Sequence, residues 1–376
     1  MRRTVYLDNH STTPMDPRVF RAMKPYFQEK FGNAASLTHF FGAEAEKAVE
    51  KARGEIASFI GAQSKEIIFT SGATESNNLA IKGIAEAYRE KGNHIITTAI
   101  EHKSVLDPCK RLALSGFKIT SLGVDRQGRI HLNDLKKAIQ KKTILISVQI
   151  ANNEIGVIQP VAEIGKIAAA RGILFHADAA QALGKIPIDV RRMGIDLLSL
   201  SAHKNYGAKG IGALFLRKAV KMFPQMDGGG HEGGFRSGTL NVPGIVGFGE
   251  ACRLSRKIMK METQRISQLR DRLQKNILNK IPDAMVNGSL KNRLPNNLNL
   301  TFPGINAKDL IARLKGVAVS SGSACTATSI EPSYVLKALG IPETLRHSSI
   351  RFGLGRFTTS RDVDAAAQEI VRAIQV

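Results

Sequence analysis

The sequence predicts an α/β protein with a large domain, built on a mainly parallel sheet with helices on both faces, and a smaller α+β domain. Helix-like and strand-like stretches alternate from about residue 17 to 220, which implies crossover connections between parallel strands. Residues 143–148 form a nearly continuous apolar run, as expected of a strand buried on both faces. Beyond residue 262 the pattern changes, because residues 297–302 alternate between polar and apolar side chains.

The individual elements follow from apolar periodicity, which differs between helices and strands. In chain order, strands are predicted at residues 66–70, 94–98, 118–122, 143–150, 173–178, 196–201, 211–216, 297–302 and 317–320. Helices are predicted at residues 43–60, 72–87, 104–115, 132–139 and 161–171, as one long amphipathic helix at 253–280, and in two segments after residue 320. A glycine-rich loop at residues 228–238 precedes the long helix.

The length of 376 residues and the change of pattern predict two domains. We expect a large domain over residues 15–261 and a small domain formed by residues 1–14 and 262–376. Hydrophobic content of 43% and charged content of 23% exclude a mostly disordered chain.

The sequence also predicts a compartment. No apolar run approaches the ~18 residues that a membrane-spanning helix needs, and the N-terminus turns polar too soon for a secretory signal. Three cysteines are too few for a disulfide framework. We therefore expect a cytoplasmic protein with free thiols and no membrane association.

The formal charge of +22 permits two interpretations. It is typical of nucleic-acid-binding proteins, and it is equally compatible with a solvated basic surface. The densest stretch, residues 253–280, carries nine lysines and arginines but no aromatic residue that could stack on bases. This favours a solvated helix face, and direct nucleic-acid binding stays open.

Two charged residues follow predicted strands, where ligands bind in parallel sheets. Lys204 lies among small residues just past strand 196–201, and desolvation there would favour a neutral, nucleophilic amine. Asp178 ends strand 173–178, where a carboxylate could hold a protonated pyridine nitrogen and keep a pyridoxal ring electron-withdrawing. The structural alternatives are a solvated lysine and a helix N-cap aspartate.

Two further motifs follow predicted strands. Residues 70–77 join a strand to a helix through a Gly/Ser/Thr turn, which suits a phosphate at the helix N-terminus or a plain capping box. His102 follows strand 94–98 and could stack on a planar cofactor or move a proton, or it could cap a helix.

The three cysteines divide into two kinds. Cys325 lies within ten small residues, 320–329, which is typical of an exposed and reactive thiol, with an incidental surface cysteine as the alternative. Cys109 and Cys252 lie in apolar helical patterns and are predicted to be core residues. No Cys-x-x-Cys or His-Glu-x-x-His motif predicts a metal site.

Taken in order, the motifs resemble one family along nearly the whole chain. They lie at residues 6–14, 71–77, 152–156, 201–204, 236–239, 321–325 and 349–352. The sequence resembles cysteine desulfurases of the NifS/IscS type, within the class V aminotransferase group of fold type I pyridoxal-phosphate enzymes. The order and spacing of the motifs carry this resemblance, since each motif alone is weak or moderate.

The resemblance implies a role for each matching residue. Lys204 would form the Schiff base with pyridoxal phosphate, His102 would stack on the ring, and Asp178 would pair with the pyridine nitrogen. Gln181 would hydrogen-bond the phenolic oxygen. The phosphate would be held by Ala73, Thr74, Ser201, His203 and, from the neighbouring subunit, Thr239. Asn152 and Arg351 would hold the substrate carboxylate, a task that suits a guanidinium fork.

The resemblance also implies the reaction. Lys204 would take the Cα proton of L-cysteine, and His102 would manage protons near the leaving sulfur. Cys325 would attack that sulfur and carry it as a persulfide, while L-alanine leaves. The expected partners are a second copy in a homodimer and sulfur acceptors, either an iron–sulfur scaffold protein or a tRNA-thiolation relay. Whether Cys325 is shared with a transient iron–sulfur cluster stays open.

Two other functions remain. One is a catalytically silent partner or scaffold with the same fold, against which the retention of Lys204, Cys325 and Arg351 argues. The other is a basic nucleic-acid-associated protein. The sequence ends at Val376, whereas some relatives carry a further tail that helps dock the scaffold. The acceptor, and activity toward selenocysteine, are therefore not predicted.

Overall fold

The computed structural model describes residues 4–321 and 333–375. Its strands are β1 (Val5–Tyr6), β2 (Ile67–Thr70), β3 (His94–Thr98), β4 (Lys118–Leu122), β5 (Thr143–Ser147), β6 (Leu174–Asp178), β7 (Leu197–Ser201), β8 (Gly212–Leu216), β9 (Met285–Val286), β10 (Asn297–Thr301), β11 (Val317–Ala318) and β12 (Ser349–Gly353). The α-helices are α1 (Pro17–Met23), α2 (Pro25–Gln28), α3 (Phe40–Ile60), α4 (Ala73–Ala87), α5 (Lys103–Leu114), α6 (Leu132–Ala138), α7 (Val161–Ala170), α8 (Val242–Leu278), α9 (Ala307–Arg313), α10 (Tyr334–Ala338), α11 (Glu343–Arg346) and α12 (Ser360–Gln375).

Within the described residues, seven strands form the central sheet in the order β2-β8-β7-β6-β5-β3-β4. The pairs from β7 through β4 are parallel, which confirms the mainly parallel sheet. Strand β8 runs against both of its neighbours. Two reversals restore the direction, so β2 runs the same way as β7.

This topology brings five loops to one edge of the sheet. The carboxyl ends of β2, β3, β5, β6 and β7 all point toward that edge. Ligands in open α/β sheets bind outside the carboxyl ends of the strands. The chemistry-bearing motifs predicted from the sequence follow these same strands.

The long helix α8 joins two of the apolar cores that the described residues bury. Its first half contributes residues such as Ile245 and Phe248 to the core beneath the central sheet. Its second half contributes Ile266, Leu273 and Ile277 to the core around β10 and β12. The change between them falls between residues 255 and 266, which is compatible with the expected boundary at 261. The division into two domains stays a prediction.

The second core corrects one expectation. The alternating pattern of residues 297–302 indicated a half-buried strand, but all five residues of β10 are buried. Its apolar face, with Leu298 and Leu300, lies in the second core. Its polar face packs against the loop after β5. There the Nδ2 atoms of Asn297 and Asn299 donate to the carbonyl oxygen of Glu154 at 3.0 and 3.1 Å.

Other differences from the predicted elements are small. The strand expected at 143–150 ends at Ser147, and the long helix begins at Val242 instead of residue 253. The last part of the chain holds α10, α11 and α12, where two segments were expected. The N-terminal segment packs on the second core as predicted, since β1 pairs with β11.

The basic helix face is largely engaged within the protein. Arg256 pairs with Glu55 at 2.9 Å, Arg272 pairs with Asp364 at 2.6 Å, and Arg265 donates to carbonyl oxygens before α12. These contacts favour the structural interpretation of this helix. No helix in the described ranges is both long and apolar enough to cross a membrane.

Candidate active site

A cavity of about 480 Å³ opens at the sheet edge where the five loops meet. This volume is within the range of small-molecule sites in proteins. It is lined by most of the residues that the sequence singled out: Ala73, Thr74, His102, Asp178, Gln181, Ser201, His203, Lys204 and Arg351. Residues from five separate stretches of sequence are therefore brought together, as the order of the strands requires.

One end of the cavity suits a phosphate. Helix α4 begins there after Gly72, and no side chain in the described residues caps this helix. The first backbone N–H groups of a helix and its dipole attract anions. The turn lies close against β8, because a Cβ on Gly212 would lie 2.6 Å from the Cα of Gly72. Glycine at 212 is therefore needed for this close approach. The capping interpretation also holds in part, since Glu75 accepts from the N–H of Ser71 at 2.7 Å.

Asp178 lies on the sheet side of the cavity, at the end of β6. Its Oδ2 accepts from Asn77 Nδ2 at 2.8 Å, and its Oδ1 accepts from the N–H of Ala180 at 2.8 Å. The second contact is the local turn that a capping aspartate makes. Both contacts fix the carboxylate at the place where the sequence predicted a partner for a pyridine nitrogen.

Lys204 ends a short 3-10 turn, Ala202–Lys204, that directly follows β7. Its Nζ donates to the carbonyl oxygens of His10 and Ser11 at 2.5 and 2.6 Å. The amine is therefore partly buried between the sheet and the N-terminal segment. Lys185 lies beneath the same turn, where its Nζ donates to the Lys204 carbonyl oxygen at 2.8 Å. Burial, and then the nearby Lys204 charge, lower the pKa of Lys185 to about 7.

His102 both caps a helix and lines the cavity. It stands at the N-cap of α5, where its Nδ1 accepts from the N–H of Ser104 at 3.1 Å. The Ser104 Oγ lies 2.7 Å from the same Nδ1. The structural and the functional interpretations of this histidine are thus compatible.

Gln181 is oriented by a histidine that the sequence analysis did not single out. Its Oε1 lies 2.8 Å from His10 Nδ1, and its Nε2 donates to the His10 carbonyl oxygen at 3.0 Å. Asn297 Nδ2 lies 3.1 Å from His10 Nε2. His10 therefore carries its proton on Nδ1, and burial holds its pKa well below its usual range. With its Oε1 toward His10, Gln181 presents N–H groups to its other neighbours.

Arg351 approaches the cavity from β12. Its Nη2 donates to Asp8 Oδ1 and Ser11 Oγ, each at 2.8 Å, and its Nη1 donates to the carbonyl oxygen of Asn153 at 3.0 Å. The side chain is only 3% exposed. These contacts fix the plane of the guanidinium, which prepares it to bind a carboxylate.

Two predicted residues lie outside the cavity. Asn152 is buried, and its side chain stabilises a turn, accepting from the N–H groups of Glu154 and Ile155 and donating to the Ile100 carbonyl oxygen. Its neighbour Asn153 lines the cavity instead. Thr239 is exposed in the single chain and does not line the cavity.

Asn153 is therefore the residue that this structure offers for the role expected of Asn152. Its Oδ1 is buried and has no hydrogen-bond partner among the described residues. Such an atom is rare unless a ligand or water pairs with it. The sequence could not separate two adjacent asparagines, because only the turn geometry decides which side chain faces the cavity.

Sequence reasoning also missed other lining residues: His10, Ser11, Ser104, Gln149, Glu154 and Tyr334. Glu154 is fully buried, burial raises its pKa, and its Oε2 accepts from Ser333 Oγ at 2.6 Å. The sequence feature that could have identified Glu154 as a lining residue was its position in the motif at 152–156. Ser104 follows His102 by two residues, which is a common capping arrangement.

The cysteines support only part of the prediction. Cys109 and Cys252 are buried, as predicted, on α5 and α8. Burial raises the pKa of the Cys109 thiol to about 12, and it also raises the pKa of Cys252 strongly. Both are therefore poor nucleophiles. Cys325 lies outside the described residues. The described residues contain no cluster that could hold a metal ion.

Comparison with known proteins gives a consistent result. Residues 5–366 match the family Aminotransferase class-V. The chain is 54% identical to the cysteine desulfurase IscS of Anaeromyxobacter sp. strain Fw109-5, with 100% of this chain and 93% of the relative covered. It is 55% identical to the cysteine desulfurase IscS of Rickettsia felis, with 98% and 91% covered. A solved NifS-like protein superposes with a TM-score of 0.93 at 38% identity, with both chains fully covered.

The cavity fits pyridoxal phosphate by its donor set. An uncapped helix N-terminus suits the phosphate, the Asp178 carboxylate suits a pyridinium nitrogen, and the Lys204 amine suits the carbonyl carbon. The fold and the site together define a pyridoxal-phosphate-dependent enzyme of the class-V aminotransferase kind. Within that class, the chain belongs to the cysteine desulfurases of the NifS/IscS type.

Proposed function

We propose that this protein is a cysteine desulfurase that converts L-cysteine to L-alanine and transfers the sulfur to acceptors. The observation that carries the proposal is one cavity in which Lys204, Asp178 and Arg351 meet. It occurs in a chain 54–55% identical to IscS proteins over nearly its whole length. A silent partner or a nucleic-acid-binding protein is not favoured, because neither needs this set of residues in one cavity.

We assign substrate binding to the β12 side of the cavity. Arg351 would hold the carboxylate of L-cysteine through its guanidinium N–H groups, and the contacts from Asp8 and Ser11 keep it in position. The orphaned Oδ1 of Asn153 would accept a hydrogen bond in the same region. Together they would orient the Cα–H bond of the substrate.

We assign proton transfer to the residues at the carboxyl edge of the central sheet. Pyridoxal phosphate, when bound, supplies an electron sink for the carbanion at Cα. Asp178 would hold the charge of the ring nitrogen, Gln181 would donate toward the phenolic oxygen, and the phosphate would be held by Ala73, Thr74, Ser201 and His203. Lys204, which would also anchor the cofactor, would take the Cα proton of the substrate. Lys204 would later return that proton to Cα, and the proton that Cys325 loses on becoming a thiolate would go to Cβ, so both carbons would carry the hydrogens of L-alanine.

Sulfur transfer requires a second nucleophile, and Cys325 is the residue that we propose for it. Its thiolate attacks the sulfur of the substrate, the Cβ–S bond breaks, and the sulfur stays on Cys325 as a persulfide. The two other cysteines are buried with raised pKa values, so they are unsuited to this step. An acceptor thiol later removes the sulfur.

The direct test uses the purified protein with L-cysteine and a reductant, scored for alanine and sulfide. We expect both products, and mass spectrometry without reductant should find one added sulfur on the peptide that holds Cys325. Cys325→Ser should keep the cofactor and release essentially no alanine. Cys109→Ser and Cys252→Ser are the matched controls and should stay active. Added sulfur on either buried cysteine, or alanine at the normal rate from Cys325→Ser, contradicts the proposal.

The active form is proposed to be a homodimer. Phe31, Phe40 and Phe41 form an exposed aromatic patch, in which the rings of Phe31 and Phe41 stack at 5.4 Å. Phe40 is 72% exposed in the single chain. A contiguous apolar patch of this kind is typical of a protein interface. Two-fold pairing would cover it, and Thr239 would reach the phosphate of the partner's cofactor.

The oligomeric state tests this arrangement. Phe40→Lys places a charge in the patch and should shift the protein toward monomer in sedimentation velocity. Leu114→Lys is the control, because Leu114 is 91% exposed and does not belong to the aromatic patch. A wild-type protein that is a fully active monomer would contradict the proposal.

The acceptors are proposed to be an iron–sulfur scaffold protein or a tRNA-thiolation relay protein, and the compartment the cytoplasm. Two buried, unpaired thiols at Cys109 and Cys252 are compatible with a reducing compartment. Transfer of ³⁵S from labelled cysteine to each purified acceptor distinguishes the two classes. The acceptor that removes the label from Cys325 faster is the physiological candidate.

A further inference from the structure

Two groups of Ser104, its backbone N–H and its hydroxyl, contact the same ring nitrogen of His102, Nδ1. Its Nδ1 accepts the backbone N–H of Ser104 at 3.1 Å, and the Ser104 Oγ lies 2.7 Å from that Nδ1. A backbone amide can only donate a hydrogen bond. Nδ1 therefore carries no proton while this contact exists.

The direction of the Ser104 hydroxyl follows from a second residue, Asn77, which is fully buried. Asn77 Nδ2 lies 2.8 Å from Ser104 Oγ and 2.8 Å from Asp178 Oδ2. A carboxylate oxygen only accepts, so the amide nitrogen of Asn77, and not its oxygen, faces Asp178. The second hydrogen of that nitrogen points to Ser104 Oγ. The hydroxyl, having accepted from Asn77, donates its own hydrogen to Nδ1 of His102.

We infer that Asn77 and Ser104 are positioning residues that fix His102 as the tautomer with its proton on Nε2. A neutral imidazole carries one N–H. Because two donors already point at Nδ1, that hydrogen is on Nε2. His102, which lines the cavity, then acts there as a hydrogen-bond donor through Nε2. The same asparagine holds the carboxylate of Asp178, so the placement of the acid and the tautomer of the histidine are set together.

The tautomer determines which chemical role His102 can take in the cavity. In this tautomer His102 stabilises an anionic sulfur or oxygen by donation, and its neutral ring offers no lone pair at Nε2 to take a thiol proton. The tautomer rests on residue contacts alone, whereas its use toward the substrate sulfur rests on the proposed function. The two parts fail separately, because the tautomer is measured without turnover.

A second buried histidine provides an internal comparison. The ring of His176 lies 2.8 Å from Ser147 Oγ at Nδ1 and 3.0 Å from Ser199 Oγ at Nε2. Hydroxyl groups donate or accept, so these contacts do not select a tautomer. His176 does not line the cavity, and a change at Ser147 is therefore a matched serine–histidine control.

The experiment is long-range ¹H–¹⁵N correlation of the holoenzyme with ¹⁵N-labelled histidine, with the His102 signals assigned by His102→Gln. We expect a protonated Nε2 and an unprotonated Nδ1. Ser104→Ala removes the hydroxyl donor and Asn77→Ala loosens it, while the backbone N–H of residue 104 stays in place. In both variants Nδ1 should therefore stay unprotonated, and its signal should move toward the value of an unprotonated nitrogen with one hydrogen bond fewer. Ser104→Thr, which keeps a hydroxyl, should restore the wild-type signal. Ser147→Ala should move the signals of His176 and leave those of His102 in place.

Three results would overturn the inference. The first is a wild-type His102 with its proton on Nδ1, and the second is a wild-type ring protonated at both nitrogens. The third is an Nδ1 signal that stays in place in both Ser104→Ala and Asn77→Ala, while the other histidine signals show that these variants are folded. A chain that forms no alanine from cysteine but shows the expected tautomer would instead contradict only the proposed function.

Discussion

The cavity has two sides that are built in different ways. On the sheet-edge side, formed by the loops after β2, β3, β5, β6 and β7, the strands are mainly apolar, and the polar residues that line the cavity lie where the strands end or just after. On the β10–β12 side, the polar residues lie within the strands and are buried. Asn287 Nδ2, for example, donates to Asn299 Oδ1 at 2.7 Å and to Thr301 Oγ1 at 2.8 Å.

The difference indicates on which side of the cavity a substitution can change activity without changing stability. Buried polar groups must be hydrogen-bonded, and leaving one unpaired costs about 1–3 kcal/mol. On the sheet-edge side the strands fold through apolar burial, and a strand-end residue can change without disturbing them. On the β10–β12 side Arg351 serves the site and also bonds Asp8, Ser11 and Asn153. A change there should affect stability and activity together.

The largest expected effect is on the sheet-edge side. Lys204→Ala should lose at least about 10⁴-fold in activity, because Lys204 is the residue proposed both to anchor the cofactor and to act as the base at Cα. Its melting temperature without cofactor should stay close to that of the wild type. Turnover and the visible band of the bound cofactor after dialysis are the measurements. Lys166→Ala, on the exposed face of α7, is the control. A Lys204→Ala protein that keeps the band would assign the anchor to another lysine.

The next effect tests the β10–β12 side. Arg351→Gln should lower kcat/KM by about 10²-fold, mainly by raising KM, since it removes the charge-assisted contact that we propose to the substrate carboxylate. Unlike Lys204→Ala, it should also lower the melting temperature of the cofactor-free protein, because Asp8 and Ser11 lose a buried partner. Arg351→Lys should recover part of the stability and less of the activity. An unchanged KM would remove Arg351 from substrate binding.

The same contrast explains how much the sequence predicted. The central sheet and the residues at its carboxyl edge were predictable, since apolar runs define the strands and ligand sites follow their ends. Lys204, Asp178 and His102 were found in this way. The resemblance to a known family added Gln181 and Arg351, whose patterns alone carry no signal.

The rest could not be predicted for physical reasons. The alternation in β10 indicated exposure of Asn297 and Asn299, because sequence cannot distinguish water from a polar protein surface as the partner of an amide. His10 depends on contacts with Gln181 and Asn297, which are 171 and 287 residues away in sequence. Local pattern contains no information about such pairs.

A third prediction addresses the buried polar face directly. Asn297→Leu should destabilise the protein by about 2–4 kcal/mol, although leucine is more apolar, because the Glu154 carbonyl oxygen and His10 lose a buried donor. Urea unfolding measures this difference. Asn133→Leu is the control, because Asn133 is exposed on α6 and should change stability by less than about 0.5 kcal/mol. Equal effects of the two substitutions would show that the polar face of β10 is not tightly packed.

The smallest expected effect concerns pH and Glu101, which is buried next to the site. Burial raises the pKa of Glu101 from 4.5 to about 8. Between these values the folded protein holds a proton that the unfolded chain has released, so this group makes stability fall as pH rises through the window. Glu101→Gln removes this contribution.

The stability of Glu101→Gln relative to the wild type should therefore rise between about pH 5 and pH 8, by about 1 kcal/mol for each pH unit. Urea unfolding at several pH values measures the difference. Glu163→Gln, exposed on α7, should show no such trend. The amides of the β10–β12 side do not titrate, so Asn297→Leu should destabilise the protein equally across this range. If the stability difference between Glu101→Gln and the wild type does not change with pH, this carboxyl is ionised in the folded protein. The two sides of the cavity would then not differ in how their substitutions respond to pH.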